Sequence, residues 1–416
     1  MCYFSLAARS QSARLLALHK AWSRRGACSG EISSRLTSFN GGVRTKSGSY
    51  KGDPMDRRSF LSRAGAVAGV ATTFPAPAIA QGIRELKMVT SWPKGLPGLS
   101  SSAERIGQAI TAASGKRIQV KVFGAEELVK AFEVFDAVSS GVADLYHSAE
   151  YYWERQSPAF NFFAAVPFGF TADEMGAWIH FGGGQALWDE LSAKFNIKPL
   201  LTANTGVQMG GWFTKEVSGP QSFAGLRYRM PGLGGEVLRR LGAVVVSLPG
   251  GDIVPALKSG AIDASEWVGP WNDMILGLHK ACKYYYYPGF HEPGTVLSTG
   301  VNKTVWDGLT AEDRNLISTV ANAEYTYSLA EFNANNAKSL EELAKDKNVE
   351  IRKFDDTLLQ ALGKVSAEVL AEVGNKDPLT RRIYQSYVEF RNRATHWADL
   401  AERGYLNARS LNSAKG

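Results

Sequence analysis

The chain has 416 residues, which is enough for two ordinary domains, and its formal net charge at pH 7 is +7. Residues 1–80 hold twelve Lys and Arg against three Asp and Glu, a surplus of nine, so the remaining 336 residues have a net charge of −2. Outside its first 80 residues the chain has no basic surplus for binding a nucleic acid, and this class of partner is excluded.

The basic surplus surrounds a segment with the features of an export signal. Arg57 and Arg58 stand before a short Gly/Ala-rich apolar stretch at 64–74, and 78–80 fits the small-x-small pattern of a cleavage site. Residues 55–80 therefore resemble a bacterial twin-arginine signal peptide. A membrane anchor is the alternative, but the apolar stretch is shorter than the roughly 20 residues that span a bilayer.

Cleavage after this segment predicts a mature chain that begins at about Gln81 and resides in the periplasm. Residues 1–54 are expected to be an untranslated or disordered upstream extension. Cys282 is the only cysteine of the mature chain, so neither an intrachain disulfide nor a CxxC metal site is expected there. We interpret Cys282 as a small buried apolar residue.

The mature chain opens with alternating strand and helix patterns. Alternating apolar residues predict strands at 85–90 and 117–123, and helical spacing with a closing glycine predicts helices at 100–114 and 133–140. Strands that alternate with helices are typical of an α/β fold.

The stretch 225–267 continues the alternation as strand, helix, strand, helix and strand, which favours a parallel sheet covered by helices. Ligands of such sheets bind beyond the carboxyl ends of the strands. Arg229 ends the first of these strands, and Glu266 and Trp267 end the last. A cation, an anion and an indole are therefore expected to meet at one sheet edge.

An internal similarity predicts two facing α/β lobes. Residues 137–144 and 256–263 each read as a helix end, a glycine and a short strand, although a single short match could be coincidence. The glycine-rich extended stretch 206–213 is interpreted as a strand that passes from one lobe to the other. A second crossing is predicted at 283–290, where the four tyrosines could instead form only an edge strand.

Long helices are predicted at 310–345, 357–373 and 379–402. The first would be about 50 Å long at 1.5 Å per residue, which exceeds one lobe, so it is expected to brace both. The predicted domains are lobe I (81–206 and 296–330), lobe II (207–295) and long C-terminal helices that pack across the lobes (331–416).

Motifs of several enzyme classes are absent from the sequence. It has no Walker loop, no GxSxG elbow and no HExxH motif, and 232–235 matches a dinucleotide turn only in part. The histidines of the mature chain stand singly and are expected to be structural: His147, His180, His279, His291 and His396. A binding protein is therefore favoured over an enzyme.

The chain resembles a substrate-binding protein of tripartite ATP-independent periplasmic (TRAP) transporters over nearly all of 83–405. The resemblance rests on 225–229 (GLRYR) and 257–264 (LKSGAIDA). It is strongest to the branch for 2-oxo or 2-hydroxy acids such as pyruvate or lactate, which shares 208–212 (QMGGW) and 265–267 (SEW). It implies a two-lobed α/β periplasmic-binding-protein fold, with mixed sheets flanked by helices and a long helix bracing both lobes, that delivers a small monocarboxylate to TRAP membrane subunits.

The resemblance also implies the site. Its expected substrate-binding residues are Gln208, Arg229, Trp267, Glu292 and Tyr152, with Arg229 pairing with the substrate carboxylate. Many family members have a second arginine at position 208 and an asparagine near position 266, so here the substrate and Glu266 face Arg229 alone. Buried net charge is costly unless paired. A cation held by Gln208, Glu266 and the Trp267 carbonyl would restore neutrality, and Na⁺ is favoured over Ca²⁺ among hard ions.

Simpler roles stay open at this stage. Arg229 could be a surface arginine, Gln208 could bond backbone groups of the crossing strand, and Glu266 could pair with Arg229 without a metal. The aromatic residues Tyr152, Trp153 and Trp267 could belong to the core. The alternative function is a secreted lyase or isomerase acting on a small carboxylic acid, and the resemblance leaves a homodimer as an expectation.

Overall fold

Two mixed β-sheets organise residues 82–412, which are the residues that the computed structural model describes. The signal peptide predicted at 55–80 and the extension before it lie outside them. The strands in chain order are β1 (Arg84–Thr90), β2 (Ile118–Phe123), β3 (Leu145–Ser148), β4 (Ile197–Asn204), β5 (Gly211–Phe213), β6 (Arg227–Arg229), β7 (Val244–Val246), β8 (Ala264–Ser265), β9 (Tyr284–Tyr287), β10 (Val296–Asn302) and β11 (Glu350–Lys353).

The first sheet has the strand order β2-β1-β3-β10-β4. β1 lies parallel to β2 and β3, whereas β10 runs antiparallel to β3 and β4. Every residue of β3 and of β10 is buried, because helices and loops cover both faces at the centre of the sheet. The strands predicted at 85–90 and 117–123 are confirmed to within one residue.

The second sheet has the order β11-β9-β5-β8-β6-β7. β6 is parallel to β7 and to β8, as the pattern of 225–267 predicts, and β5 joins antiparallel between β8 and β9. The prediction of only helices in 331–416 is wrong, because β11 lies there and pairs in parallel with β9. Three of its four residues are charged, and only this pairing makes the segment a strand.

Helices flank both sheets. In chain order they are α1 (Ser100–Ala113), α2 (Val134–Ser140), α3 (Ala172–Phe181), α4 (Gly184–Ala193), α5 (Gly232–Arg240), α6 (Gly250–Lys258), α7 (Pro270–Leu276), α8 (Lys303–Asp307), α9 (Ala311–Leu343), α10 (Asp356–Gly374), α11 (Pro378–Leu400) and α12 (Glu402–Asn412). The long helices begin at polar caps; the Thr310 hydroxyl, for example, accepts the Asp313 amide at 3.1 Å. Short 3₁₀ helices lie at Glu150–Trp153, Pro158–Phe163, Pro220–Phe223 and Leu278–Lys280.

Within the described residues, the chain passes between the sheets three times: at 205–210, at 288–295, and from β10 to β11 through residues 303–349. The first two, called the crossing segments, lie close to the crossings predicted at 206–213 and 283–290. The two crossing segments lie side by side. The Gln208 amide donates to the Glu292 carbonyl at 3.1 Å, and the Gly289 amide donates to the Gln208 carbonyl at 3.0 Å. This short ladder joins the sheets at their shared boundary and carries Gln208 and Glu292 within it.

Helix α9 contacts elements of both sheets. It packs on β4 and α1 beside the first sheet and on α7, which follows β8 of the second. The prediction of a long helix bracing both lobes is confirmed. The described residues 82–412 all belong to one compact unit, and the lobe boundaries at 206 and 295 stay predictions. Cys282 is buried, as its interpretation requires.

Candidate ligand-binding site

The site begins at the carboxyl ends of two neighbouring parallel strands. Arg229 is the last residue of β6 and pairs in register with Ser265, the last residue of β8. Glu266 and Trp267 follow directly, so the predicted cation, anion and indole do meet at one edge. All three side chains are buried, and Arg229 is only 1% exposed, which rules out the surface-arginine alternative.

Arg229 and Glu266 form an ion pair, in which Arg229 Nη1 donates to Glu266 Oε1. Arg229 Nε donates to the Leu248 carbonyl at 3.0 Å, and the guanidinium lies over the Trp267 ring, 5.2 Å from its centroid. Within the described chain, Arg229 Nη2 and Glu266 Oε2 have no hydrogen-bond partner although both atoms are buried. Buried polar atoms usually have a hydrogen-bond partner, so this ion pair has two unused positions, at Arg229 Nη2 and Glu266 Oε2, where a ligand can bind.

Gln208 and Glu292 form the opposite wall, on the two crossing segments. Gln208 Nε2 donates to Glu292 Oε2 at 2.8 Å and to the hydroxyls of Thr205 and Thr295, each at 3.1 Å. The amide nitrogen therefore binds side chains and not backbone groups, contrary to the simpler role considered for Gln208. Among the described residues, Gln208 Oε1 is buried and has no donor.

Burial dominates the electrostatics of the site. It raises the pKa of Glu266 to about 7, although Arg229 acts in the opposite direction. Burial, together with the charge of Glu266, also raises the pKa of Glu292 to about 7. Burial lowers the pKa of the neighbouring His291 to about 4. A buried cation would relieve the carboxylates, because a nearby positive charge favours their ionised forms.

His291 is a member of the site that the sequence analysis missed, because it was grouped with the structural histidines. Its Nε2 lies 3.5 Å from Glu266 Oε2, and neither ring nitrogen has a hydrogen-bond partner among residues 82–412. The start of α5 makes room for it, since a Cβ on Gly234 would lie 2.7 Å from the His291 Cβ. Its position beside Glu292 in the second crossing was the available signal.

The aromatic residues divide between site and core. Trp267 rests on the start of α6, where a Cβ on Gly250 would lie 2.5 Å from the indole. Tyr152 is half-buried near Arg229 and packs on Phe132, with ring centroids 4.6 Å apart. Trp153 belongs to the core, because its indole nitrogen donates to the buried Glu150 carboxylate at 2.8 Å.

A cavity of about 610 Å³ lies beside the aromatic residues of the site. It is lined on one side by residues that follow β1 and β2, among them Phe132, and on the other by Pro249, Gly250, Gly251 and Asp252 at the start of α6. Phe132 also contacts Tyr152, so the cavity extends to the ring pair of Phe132 and Tyr152, but Arg229 does not line it. The side chains of Arg229 and Glu266 are thus enclosed, since each is 1% exposed and neither lines this cavity.

The donor set suits one anion and one hard cation. Arg229 Nη2 can donate to a carboxylate, and Glu266 Oε2 and Gln208 Oε1 are unpartnered buried oxygens. Hard ions such as Na⁺ and Ca²⁺ take oxygen ligands of these types together with backbone carbonyls such as that of Trp267. The residues therefore fit the cation that the sequence analysis expects.

Fold and site together define a solute-binding protein, and comparison with known families agrees. Residues 89–377 match the family described as bacterial extracellular solute-binding protein, family 7, and the chain belongs to this family. Its compartment is the periplasm, as predicted. Over residues 82–412, no helix combines the length and the apolar character needed to cross a membrane.

Three relatives are more specific. A monocarboxylate 2-oxoacid-binding periplasmic protein of Nostoc sp. is 38% identical over 321 residues, covering 77% of this chain and 88% of that protein. A TRAP transporter solute-binding protein of Bordetella bronchiseptica, solved as a mixed-occupancy dimer with copurified calcium and picolinate, is 32% identical with a TM-score of 0.77 and covers 79% of this chain and 98% of its own. A TRAP periplasmic solute-binding protein of Pseudoalteromonas atlantica, solved with sodium and pyruvate, is 33% identical with a TM-score of 0.76, covering 78% and 99%. The resemblance seen in the sequence is confirmed.

Proposed function

We propose that the protein captures a small 2-oxo monocarboxylate such as pyruvate, or a 2-hydroxy acid such as lactate, together with one hard cation, for uptake through TRAP membrane subunits. The relatives described above bind 2-oxo acids, or pyruvate with sodium, or picolinate with calcium. Pyruvate and picolinate both place a second donor atom next to a carboxylate. Such a pair of donors can contact an arginine and a cation at once.

The observation that carries the proposal is the incomplete ion pair between Arg229 and Glu266. Glu266 occupies one side of the guanidinium, and Arg229 Nη2 has no partner among the described residues. An incoming carboxylate can bond Nη2 and also Nη1, because each Nη atom carries two N–H groups. A two-pronged bond of this kind is the geometry that guanidinium groups favour with carboxylates.

A bound cation supplies positive charge and oxygen coordination. Without it, the substrate carboxylate and Glu266 would share the single charge of Arg229, which is costly in a buried site. Glu266 Oε2 and Gln208 Oε1 have no partner over residues 82–412, so these two oxygen atoms are available to coordinate a cation. The Trp267 carbonyl is the third proposed ligand. Na⁺ stays favoured over Ca²⁺ because one added positive charge balances one substrate carboxylate.

The proposal predicts positive coupling between acid and cation, each raising the affinity of the other by the same factor. The test is calorimetric titration of pyruvate into chelator-treated protein, with Na⁺ and Ca²⁺ varied separately at constant ionic strength. Acetate serves as the matched control because it lacks the 2-oxygen, and it should bind more weakly. A pyruvate affinity that does not change with Na⁺ or Ca²⁺ would contradict the cation site. Binding of neither pyruvate nor lactate would contradict the proposed substrate class.

We also propose capture rather than turnover, in keeping with relatives that are binding proteins of transporters. The ligand would be recovered unchanged after incubation with the purified protein, as followed by proton NMR. Formation of a new product in proportion to protein concentration would instead support the lyase or isomerase alternative.

Because the side chains of Arg229 and Glu266 are enclosed, we propose that ligands gain access when the two sheets separate about the crossing segments 205–210 and 288–295. These segments are the covalent links between the sheets before β10. Solution scattering should then detect a smaller radius of gyration when pyruvate and cation are added together than in chelator-treated protein. An unchanged radius would contradict closure.

A further inference from the structure

One cluster in the site has more ligand atoms than a carboxylate and a hard cation require. Glu266, His291 and Glu292 are all buried, and each offers one ligand atom such that the three atoms lie within 4.8 Å of one another. Glu266 directly follows β8, whereas His291 and Glu292 are neighbours on the crossing segment 288–295, so the cluster joins two separate parts of the chain.

The histidine is the member without a role in the proposed capture of an acid and an alkali ion. His291 is 2% exposed, and in the described part of the chain neither of its ring nitrogens has a hydrogen-bond partner. Leaving buried polar groups unsatisfied costs free energy, and such groups usually bind a ligand or ordered water. Glu266 Oε2, which the ring faces, is likewise unpartnered over residues 82–412.

The geometry suits a small divalent ion with mixed ligands. His291 Nε2 and Glu266 Oε2 are 3.5 Å apart. Zn²⁺ bonds imidazole nitrogen and carboxylate oxygen at about 2.0–2.2 Å, which places neighbouring ligands of a tetrahedral ion roughly 3.3–3.6 Å apart. An imidazole with two carboxylates is a ligand set typical of zinc, whereas all-oxygen sets are typical of Na⁺ and Ca²⁺.

We propose that Glu266, His291 and Glu292 form a binding site for a borderline divalent cation, with Zn²⁺ as its representative. This second ion site shares Glu266 and Glu292 with the proposed capture site and rests on the proposed function only in those two residues. The site needs no bound 2-oxo acid, since the three side chains and one water molecule supply four ligands to the ion. The two ionised carboxylates offset the two positive charges of the ion, although Glu266 also pairs with Arg229.

The test uses tag-free protein recovered from the periplasm, treated with chelator and titrated calorimetrically with Zn²⁺ in the absence of any 2-oxo acid. We expect one Zn²⁺ per chain, with affinity lowered at least tenfold in His291→Gln. His279→Gln is the matched control, because His279 Nδ1 is also buried with no partner among residues 82–412 but lies outside the cluster. The control should bind Zn²⁺ as the parent protein does.

X-ray absorption of the zinc-loaded parent protein gives a readout that does not depend on the folding of a variant. One imidazole in the zinc coordination shell is expected, and a shell of oxygen atoms alone would overturn the proposal. So would absence of Zn²⁺ binding by the parent, or equal affinity in His291→Gln. Pyruvate titrations with Na⁺ or Ca²⁺ on the same sample test the capture function independently. Loss of zinc binding with retained pyruvate binding would contradict only the zinc site.

Discussion

Arg229 is the residue on which the site depends, because it presents a permanent positive charge at 1% exposure. Coulomb attraction to Glu266 raises its pKa further despite the opposing effect of burial, so it stays charged at every physiological pH. Its Nε bond to the Leu248 carbonyl fixes the plane of the guanidinium, and the two Nη atoms face Glu266 and the proposed ligand. Lysine has neither the plane nor the paired donors.

Replacing Arg229 with lysine should therefore weaken pyruvate binding at least tenfold in calorimetry. Loss of one partner of a buried charge pair typically costs about 2–5 kcal/mol of binding. Arg227→Lys is the matched control on the same strand, because Arg227 pairs with Asp263 at the exposed end of β6. Unchanged affinity in Arg229→Lys, or an equal loss in the control, would remove Arg229 from the site.

Glu266 is predicted to be the residue that links the cation to the acid. In Glu266→Gln the guanidinium has no ionic competitor and the cation loses its charged ligand. Pyruvate affinity should then no longer increase with Na⁺ or Ca²⁺, and it should exceed that of the chelator-treated parent protein. The measurement is the ratio of pyruvate affinities with and without each ion. A variant that keeps the parent's ratio would contradict this role.

Among the elements, β3 carries a buried histidine that makes the fold sensitive to acid. His147 Nδ1 accepts the Trp92 indole N–H at 2.9 Å, and burial, with a smaller contribution from Arg105, lowers the pKa of His147 to about 3. In the unfolded chain the pKa is about 6.5. The unfolded state therefore binds more protons between these values, and stability is present above about pH 6.5 and falls as pH drops toward 3.

Urea unfolding at a series of pH values should detect this dependence. The free energy of unfolding of the parent protein should fall more steeply below about pH 6.5 than that of His147→Gln, by up to about 1.4 kcal/mol per pH unit. His180→Gln is the control, since His180 is exposed on α3. Parallel pH dependences in the parent and His147→Gln would contradict the prediction.

The strand ends of β6 and β8 also explain which part of the site could be predicted. Arg229, Glu266 and Trp267 follow from the alternation of strands and helices, because carboxyl ends of parallel strands must meet at one edge. His291 lies on an irregular crossing segment, where no periodicity assigns a direction to a side chain.

At the scale of the whole molecule, two crossing segments connect the sheets and also carry Gln208 and Glu292. If the proposed site is correct, we expect ligand binding and the relative position of the sheets to be coupled through the same residues. A ligand that bonds Arg229 on the second sheet and the Gln208–Glu292 pair on the crossings favours the closed arrangement, by an amount set by its differential affinity for the two arrangements. The pairing of β11 with β9 ties the C-terminal helices to this sheet.

Those helices end in an apolar surface that predicts a homodimer. Large apolar side chains are exposed along α11 and α12, namely Trp397, Leu400, Tyr405, Leu406 and Leu411, and α12 buries none of its described residues. Exposed apolar patches of this kind mark interaction surfaces, and the Bordetella bronchiseptica relative was solved as a dimer. A second copy of the chain is the partner we expect.

Size-exclusion chromatography with light scattering should find the parent protein at twice the mass of its mature chain. Trp397→Glu combined with Leu400→Glu should give the monomer, because two buried carboxylates without partners would be added to each half of the interface. Val142→Glu is the control, an exposed apolar residue in the turn after α2 whose replacement should leave the dimer intact. A monomeric parent protein at micromolar concentration, or a dimer that survives the double substitution, would show that α11 and α12 do not form the interface. Retained pyruvate binding in the monomer would further show that one chain holds a complete site, as expected from the location of Arg229, Glu266 and Gln208 within a single chain.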